Sequence, residues 1–256
     1  MKNDLKEIEQ RESHFYDSIY NTYDPSSQIV NINQINWPPF NFVLDYLGDL
    51  RGKRVLDCGC GIGWCSVVFA LKGAEVFAFD LSEKGIEGTK RLAEKNGMSR
   101  KIKAEVMSVY ELEYPDNFFD IVFGNAFLHH IDVQKGGKEI SRVLKKNGIA
   151  LFIENSANNK LLMWTRRNLL GKFGSKRFGT EDEMPLSEKE IKTFGSFFKK
   201  TDPHYPNFVF FQLLSHHWIL KGEILEKTLK GFDNLIVKII PNLSKYSFEQ
   251  VAVFLK

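Results

Sequence analysis

The 256-residue sequence predicts an α/β fold, a seven-stranded, mostly parallel, doubly wound sheet with helices on both faces. Three observations predict it. Five short apolar runs of strand length alternate with helical segments between residues 54 and 153. Runs without polar alternation suit strands covered on both sides, as in a parallel sheet. The first run passes straight into a glycine-rich bend, Gly59-Cys60-Gly61-Ile62-Gly63, and the second ends in an acid, Asp80.

Taken in order, residues 1–23 read as a helix, with Leu5, Ile8, Phe15, Ile19 and Tyr20 loosely on one face. Asp24-Pro25-Ser26-Ser27 breaks it. A second helix runs from Pro39 to Leu47, its proline in the first turn. Strand one is Arg54–Asp57, followed by a helix from Ser66 to Leu71 that Gly73 stops. Strand two is Glu75–Phe79. Ser82 then caps a helix that reaches Asn96 and stops at Gly97. Lys103–Met107 and Phe119–Phe123 are strands three and four. Lys135–Leu144 is helical, and Asn147-Gly148 turns the chain into strand five, Ile149–Ile153.

Beyond Glu154 the alternation stops, and residues 155–195 mix helix with loop. A sixth strand is expected from Phe197 to His204, an aromatic helix from Phe208 to Trp218, and another helix from Glu223 to Ile239. Ser247–Leu255 reads as a seventh strand at or near the sheet's edge. Three regions follow: a helical N-terminal segment 1–50, a ligand-binding core 51–154, and residues 155–256. The last region combines a helical, aromatic cap inserted after strand five with the final strands of the core sheet. Many of the 22 phenylalanines fall in the C-terminal half, which suits an apolar pocket over the strand ends.

Hydrophobic residues make up 43% and charged residues 26%, an ordinary globular composition. The net charge of +3 is small and weighs against a nucleic-acid partner, which calls for a concentrated basic face. No segment approaches the roughly 18 apolar residues of a membrane span. Met1–Glu12 carries charges of both signs and lacks the apolar core of a signal peptide. Three cysteines without secretory context fit a reducing compartment, so the expected location is cytoplasmic.

In a doubly wound sheet, ligands bind at the carboxyl ends of the strands, near the point where strand order reverses. The functional residues are therefore expected just after each strand. Gly59, Gly61 and Gly63 let main chain approach a ligand without an intervening Cβ, and the next helix offers free N–H groups. A dinucleotide fingerprint would place a glycine where Ser66 stands. Asp57, just before the first glycine, gains nothing from a pyrophosphate and suits a ligand ammonium group. The plain alternative is a tight strand–helix turn that binds nothing. Asp80 is placed to accept hydrogen bonds from both hydroxyls of a ribose, although Asp in such a position also serves as a helix cap.

With Asp57-x-Gly59-x-Gly61-x-Gly63 and Asp80 in order, the chain resembles the class I, Rossmann-like S-adenosylmethionine-dependent methyltransferases, small-molecule branch. The likeness runs from about Arg54 to Glu154. It includes Tyr114-Pro115-Asp116-Asn117-x-Phe119-Asp120-Ile121-Val122, Phe127-Leu128-His129-His130-Ile131 and Arg142-Val143-Leu144-Lys145-Lys146-Asn147-Gly148. The resemblance implies S-adenosylmethionine as cofactor and S-adenosylhomocysteine as product. It implies that Asp57, Gly59, Gly61 and Gly63 hold the methionine part and Asp80 the ribose. Leu81, Ser108, Val109, Asn125 and Tyr16 are further candidate cofactor contacts. One departure stands out. The family often has Gly-Asp after strand three, its acid binding the adenine amino group, and here the pair is Met107-Ser108. Serine accepts the same bond with less charge, and the backbone N–H of Val109 is available to the ring.

The sulfonium of that cofactor makes its methyl carbon electrophilic, so the enzyme mainly has to align the acceptor and exclude water. A hydroxyl acceptor must also lose a proton, for which histidine is best suited. His129 and His130 follow strand four and are the candidate bases, His130 the second choice; the alternative is that both shape the loop. Segment 1–50 resembles the family's N-terminal lid, with His14, Tyr16 and Tyr20 closing over the cofactor. No metal is expected: His216-His217 and the cysteines at 58, 60 and 65 assemble no ligand set. Arg166, Arg167, Lys172, Lys176 and Arg177 offer a minority reading of membrane contact. The reading favoured is transfer of a methyl group to oxygen of a small, apolar or aromatic acceptor. Methylation of RNA or another macromolecule and a non-catalytic cofactor-binding role are the alternatives, and a homodimer is left open.

Overall fold

The structure, a computed structural model, describes residues 2–22, 25, 28–169, 184–213 and 222–256. Its frame is a seven-stranded sheet in the order β3-β2-β1-β4-β5-β7-β6. The strands are β1 (Arg54–Cys58), β2 (Glu75–Asp80), β3 (Ile102–Val106), β4 (Phe119–Asn125), β5 (Leu144–Asn155), β6 (Lys200–His204) and β7 (Glu249–Leu255). The five from β3 to β5 are parallel, and β7 runs antiparallel to both β5 and β6. The doubly wound class expected from sequence is the one observed. The last strand sits one place in from the edge, and β6 forms the edge itself.

Period-two alternation assigns each strand's side chains to two cores. Val55, Val76, Phe123, Leu151 and Val253 face one side, which is covered by α2 (Pro38–Leu47), α3 (Trp64–Leu71) and α4 (Glu83–Lys95). Leu56, Phe77, Val122, Phe152 and Phe254 face the other, covered by α5 (Val133–Val143) and α7 (Glu188–Gly195). The phenylalanine surplus is spent largely here. Phe123 is fully buried, with Phe69 at 5.0 Å and Phe40 at 5.6 Å between ring centroids, in edge-on contact.

Boundaries differ from the sequence reading for local reasons. Strand six begins at Lys200 because Phe197 and Phe198 still donate to Phe194 and Gly195, closing the end of α7. Helix α3 starts two residues early, at Trp64, because Gly63 (φ 81) supplies its N-terminal turn. Ser82 caps α4, accepting from Gly85 N, and Gly73 and Gly97 sit at positive φ after α3 and α4.

Helix α1 (Lys2–Tyr20) lies across the strand ends and is fastened by polar contacts. Ser13 Oγ donates to Leu81 O at 2.9 Å. Asp17 Oδ1 accepts from Ser82 Oγ at 2.5 Å and Lys84 N at 3.0 Å, at the start of α4. After β5 come α6 (Lys160–Asn168), α7 and α8 (Glu223–Ile239). The one buried residue of α8 is Asp233, whose carboxylate takes N–H donors from Phe210, Phe211 and Gln212. Of the expected aromatic helix, residues 208–212 form loop and turn instead, and 214–218, with His216-His217, lie outside the described residues, as do Lys172, Lys176 and Arg177. Among the described residues no helix is long and apolar enough to cross a membrane.

Phe123→Ala empties a filled aromatic site and is expected to lower unfolding free energy by about 3–5 kcal/mol, measured by denaturant titration. A loss below about 1 kcal/mol would show that this face of the sheet repacks freely.

Candidate active site

The strand order reverses between β1 and β4, so their carboxyl ends open a crevice. A cavity of about 360 Å³ occupies it. The bend after β1 is shaped for backbone access: Gly59, Gly61 and Gly63 have φ of 62°, 53° and 81°. A Cβ on Gly59 would lie 2.7 Å from the Phe127 ring, and one on Gly61 2.7 Å from Tyr20 Oη. Cys60 N donates to Phe79 O, and Gly61 N donates to Asp80 Oδ2 at 2.8 Å. The same carboxylate takes Ser82 N on Oδ1 at 2.9 Å. Asp80 thus ties the glycine bend to β2 while facing the cavity.

Asp57 is buried below the bend, with Ser66 Oγ donating to it at 2.5 Å. Burial outweighs that bond and raises its carboxyl from 3.8 to about 7. Burial also raises Asp80, and burial with the charge of Asp80 raises the phenol of Tyr20. The three cysteine thiols, Cys60 and Cys65 at the cavity wall among them, are pushed well up by burial.

The opposite wall is the turn after β4. Ala126 adopts φ 51°, and its N–H donates to Ile153 O. Glu154, at the end of β5, gathers this turn: Oε1 accepts Phe127 N at 2.8 Å and Leu128 N at 2.6 Å, and Oε2 lies 2.6 Å from His129 Nδ1. The His129 side chain is 3% exposed and stands outside the cavity lining. His130 lines it. Its Nε2 is 3.1 Å from Tyr16 Oη and its Nδ1 3.2 Å from Glu12 Oε2.

Of the residues singled out in the sequence, Asp57, Gly59, Gly61, Asp80, Leu81, Val109, Asn125, Tyr16, Tyr20 and His130 meet at this cavity. Gly63 does not; it is buried at the start of α3, where a Cβ would strike Thr89 at 2.5 Å. His14 is exposed. Ser108 also stands outside the lining, because its hydroxyl donates to Glu9 Oε1 and accepts Tyr110 N at 3.1 Å. Sequence reasoning passed over Glu9, Glu12, Trp37 and Trp64, all at the wall. Glu9, Glu12, Tyr16 and Tyr20 recur at helical spacing, a signal hidden because the first two are charged. None of the described residues from 155 onward lines the cavity, whose apolar wall comes from segments such as Trp37, Trp64 and Phe127. Strands β6 and β7 extend the sheet on the far side of β5, away from the crevice.

An open α/β sheet with a side-chain-free bend after β1 and a half-buried acid ending β2 is an architecture of the class I, Rossmann-like type. Residues 56–152 match the family described as Methyltransferase domain. A ubiquinone biosynthesis O-methyltransferase of Nitrosomonas europaea is 29% identical over 146 residues, 56% of this chain and 60% of that protein. A sterol 24-C-methyltransferase of Aspergillus fumigatus is 32% identical over 111 residues, 43% of this chain and 29% of that protein. The chain therefore spans less than two thirds of the length of either relative. Among solved structures, the [4+2]-cyclase SpnF superposes with TM-score 0.62 at 15% identity, covering 97% of this chain and 96% of its own. Geranyl diphosphate C-methyltransferase from Streptomyces coelicolor, solved with S-adenosyl-L-homocysteine, gives 0.57 at 16% identity, covering 84% and 76%. These two likenesses establish the fold. Residues 56–152 thus resemble a class I methyltransferase domain, whose cofactor is S-adenosylmethionine.

The residues present fit that cofactor. The glycine bend offers main chain where a Cβ would fill the space, and Asp80 offers a half-buried carboxylate one strand over. The raised carboxyl of Asp57 has a stability signature. Folded, it binds a proton more tightly than unfolded, so its contribution is full below the ordinary carboxylate range and is lost as pH rises to about 7. Asp57→Asn removes this group and is expected to flatten the fall in melting temperature between about pH 4 and 7. Parallel curves for the two proteins would show that Asp57 titrates normally.

Proposed function

We propose that this protein transfers the methyl group of S-adenosylmethionine to an oxygen of a small, apolar or aromatic acceptor. The observation that carries this reading is His130. It reaches the cavity opposite the glycine bend, with one ring nitrogen beside Tyr16 and the other beside Glu12. Names among the relatives agree at the level of small molecules, one an O-methyltransferase of ubiquinone biosynthesis and one a sterol C-methyltransferase.

Gly59 and Gly61 would hold the aminoacyl tail through main chain, Asp57 its ammonium and Asp80 the ribose hydroxyls. Leu81, Val109 and Asn125 complete the walls around the nucleoside. When bound, the cofactor supplies a sulfonium whose methyl carbon is electrophilic. Everything else falls to the protein. Glu12 Oε2 is buried and lies 3.2 Å from His130 Nδ1. A carboxylate only accepts, so it fixes the imidazole proton on Nδ1 and leaves Nε2 as the base. Nε2 would take the proton of the acceptor hydroxyl as the methyl group passes from sulfur to that oxygen and the thioether product is left behind, and the resulting imidazolium would lie against the Glu12 charge. Trp37, Trp64, Phe127 and Ile131 exclude water and offer apolar surface to the acceptor.

Incubation of the protein with methyl-labelled cofactor and a cell extract is expected to place label in small molecules, read by mass spectrometry; label confined to RNA or protein would overturn the proposal. Asp80→Ala is expected to weaken binding of the cofactor by about 2–3 kcal/mol in calorimetry, through loss of a charged acceptor. Long-range ¹H–¹⁵N spectra of the labelled full chain are expected to show His130 as the Nδ1–H tautomer at pH 8. In Glu12→Gln that signal moves toward Nε2–H, and Glu12→Asp restores it. An Nε2–H form in the wild type removes Nε2 as the base.

A further inference from the structure

We propose that Glu9, a residue of the N-terminal helix, is the group that recognises the exocyclic amino group of the cofactor's adenine. The inference rests on the cofactor assignment above and adds to it which residue reads the base. Along the sheet, β1, β2 and β3 are consecutive neighbours. A nucleoside with its tail on the β1 bend and its ribose at Asp80, which ends β2, directs its base toward the end of β3. The cavity wall there consists of Leu81, Val109 and Tyr110, with Glu9 reaching in from α1.

Ser108, the first polar side chain after β3, does not face the cavity. Its one hydroxyl proton is given to Glu9 Oε1, and one of its lone pairs is occupied by Tyr110 N at 3.1 Å. Ser108 is therefore a prop, and the charge it steadies is the carboxylate of Glu9. A carboxylate has about four acceptor positions, so the serine leaves capacity for a further donor. The adenine amino group is a donor, and a purine with a carbonyl at that carbon presents an acceptor to the same carboxylate. In the cavity wall that Glu9 shares with Leu81 and Val109 the mismatch is costly, because two acceptors facing each other leave both without a partner. The acid that reads the base comes from a segment about 100 residues before the strand end it serves, and it is in place only while α1 is docked.

The test is calorimetric titration of the full chain with S-adenosylhomocysteine and with S-inosylhomocysteine, which differ at that carbon and in the proton the inosyl ring carries on the adjacent N1. The wild type is expected to favour the adenosyl ligand by roughly ten- to hundredfold, the range of one hydrogen bond to a charged group. Glu9→Gln, whose amide also donates, is expected to narrow the ratio to within about threefold, mainly by gaining affinity for the inosyl ligand. Ser108→Ala narrows it in part. Asp80→Ala weakens both ligands together and leaves the ratio as it was. An unchanged ratio in Glu9→Gln, with adenosyl binding intact in the wild type, overturns the assignment of Glu9 alone. No heat with either ligand in the wild type overturns the cofactor reading as well.

Discussion

The active-site wall depends on a single buried carboxylate. Glu154 is 1% exposed, and a charge in that position is tolerable only with its acceptor sites filled. It fills them with the N–H groups of Phe127 and Leu128 and with His129, all within one short turn. That turn is thereby wound so tightly that Ala126 is forced into a left-handed conformation. Phe127 is then pressed against the one residue type at 59 that leaves room for it, and His130 is turned the other way, into the cavity. Two adjacent histidines thus receive separate tasks from the strand next door: one anchors the turn, the other faces the cavity.

The opposite wall is organised by a different economy. Helix α1 carries exposed Ile8 and Ile19 and owes its position to polar groups spaced along one side. Ser13 and Asp17 grip the junction of β2 and α4, Glu9 meets the turn after β3, and Glu12 with Tyr16 meets the turn after β4. The helix therefore bridges the ends of three strands. Each contact is charge-assisted or shared with a hydroxyl, so the wall is specified by geometry more than by apolar area.

The parallel core was legible because its residues obey local rules. Short apolar runs, glycine stops at 73 and 97, and the Ser82 cap each declare themselves within a few positions. The bend at 59–63 and Asp80 were equally plain, since both follow strands. What escaped was set by distance. Nothing near His129 or His130 distinguishes them; Glu154, 25 residues on, does. Glu9 and Glu12 resemble the solvated face of any charged helix until the strand ends arrive opposite them. Ser108 was read as a ligand contact because its partner on α1 lies 99 residues away. Asp233 was invisible for the same reason, its N–H donors lying more than 20 residues upstream.

The placement of β7 between β5 and β6 bears on how the chain acquires its shape. Among the described residues β6 pairs only with β7, and β5 is open on one side until β7 arrives. During synthesis, residues 54–155 can wind up their five parallel strands while Lys200–His204 waits without a docking edge. Closure then comes late, by a strand separated from its partner β5 by roughly 100 residues, the kind of non-local pairing that slows folding. Until that moment the unsatisfied edge of β5 is an adhesive surface that a nascent chain presents to its neighbours.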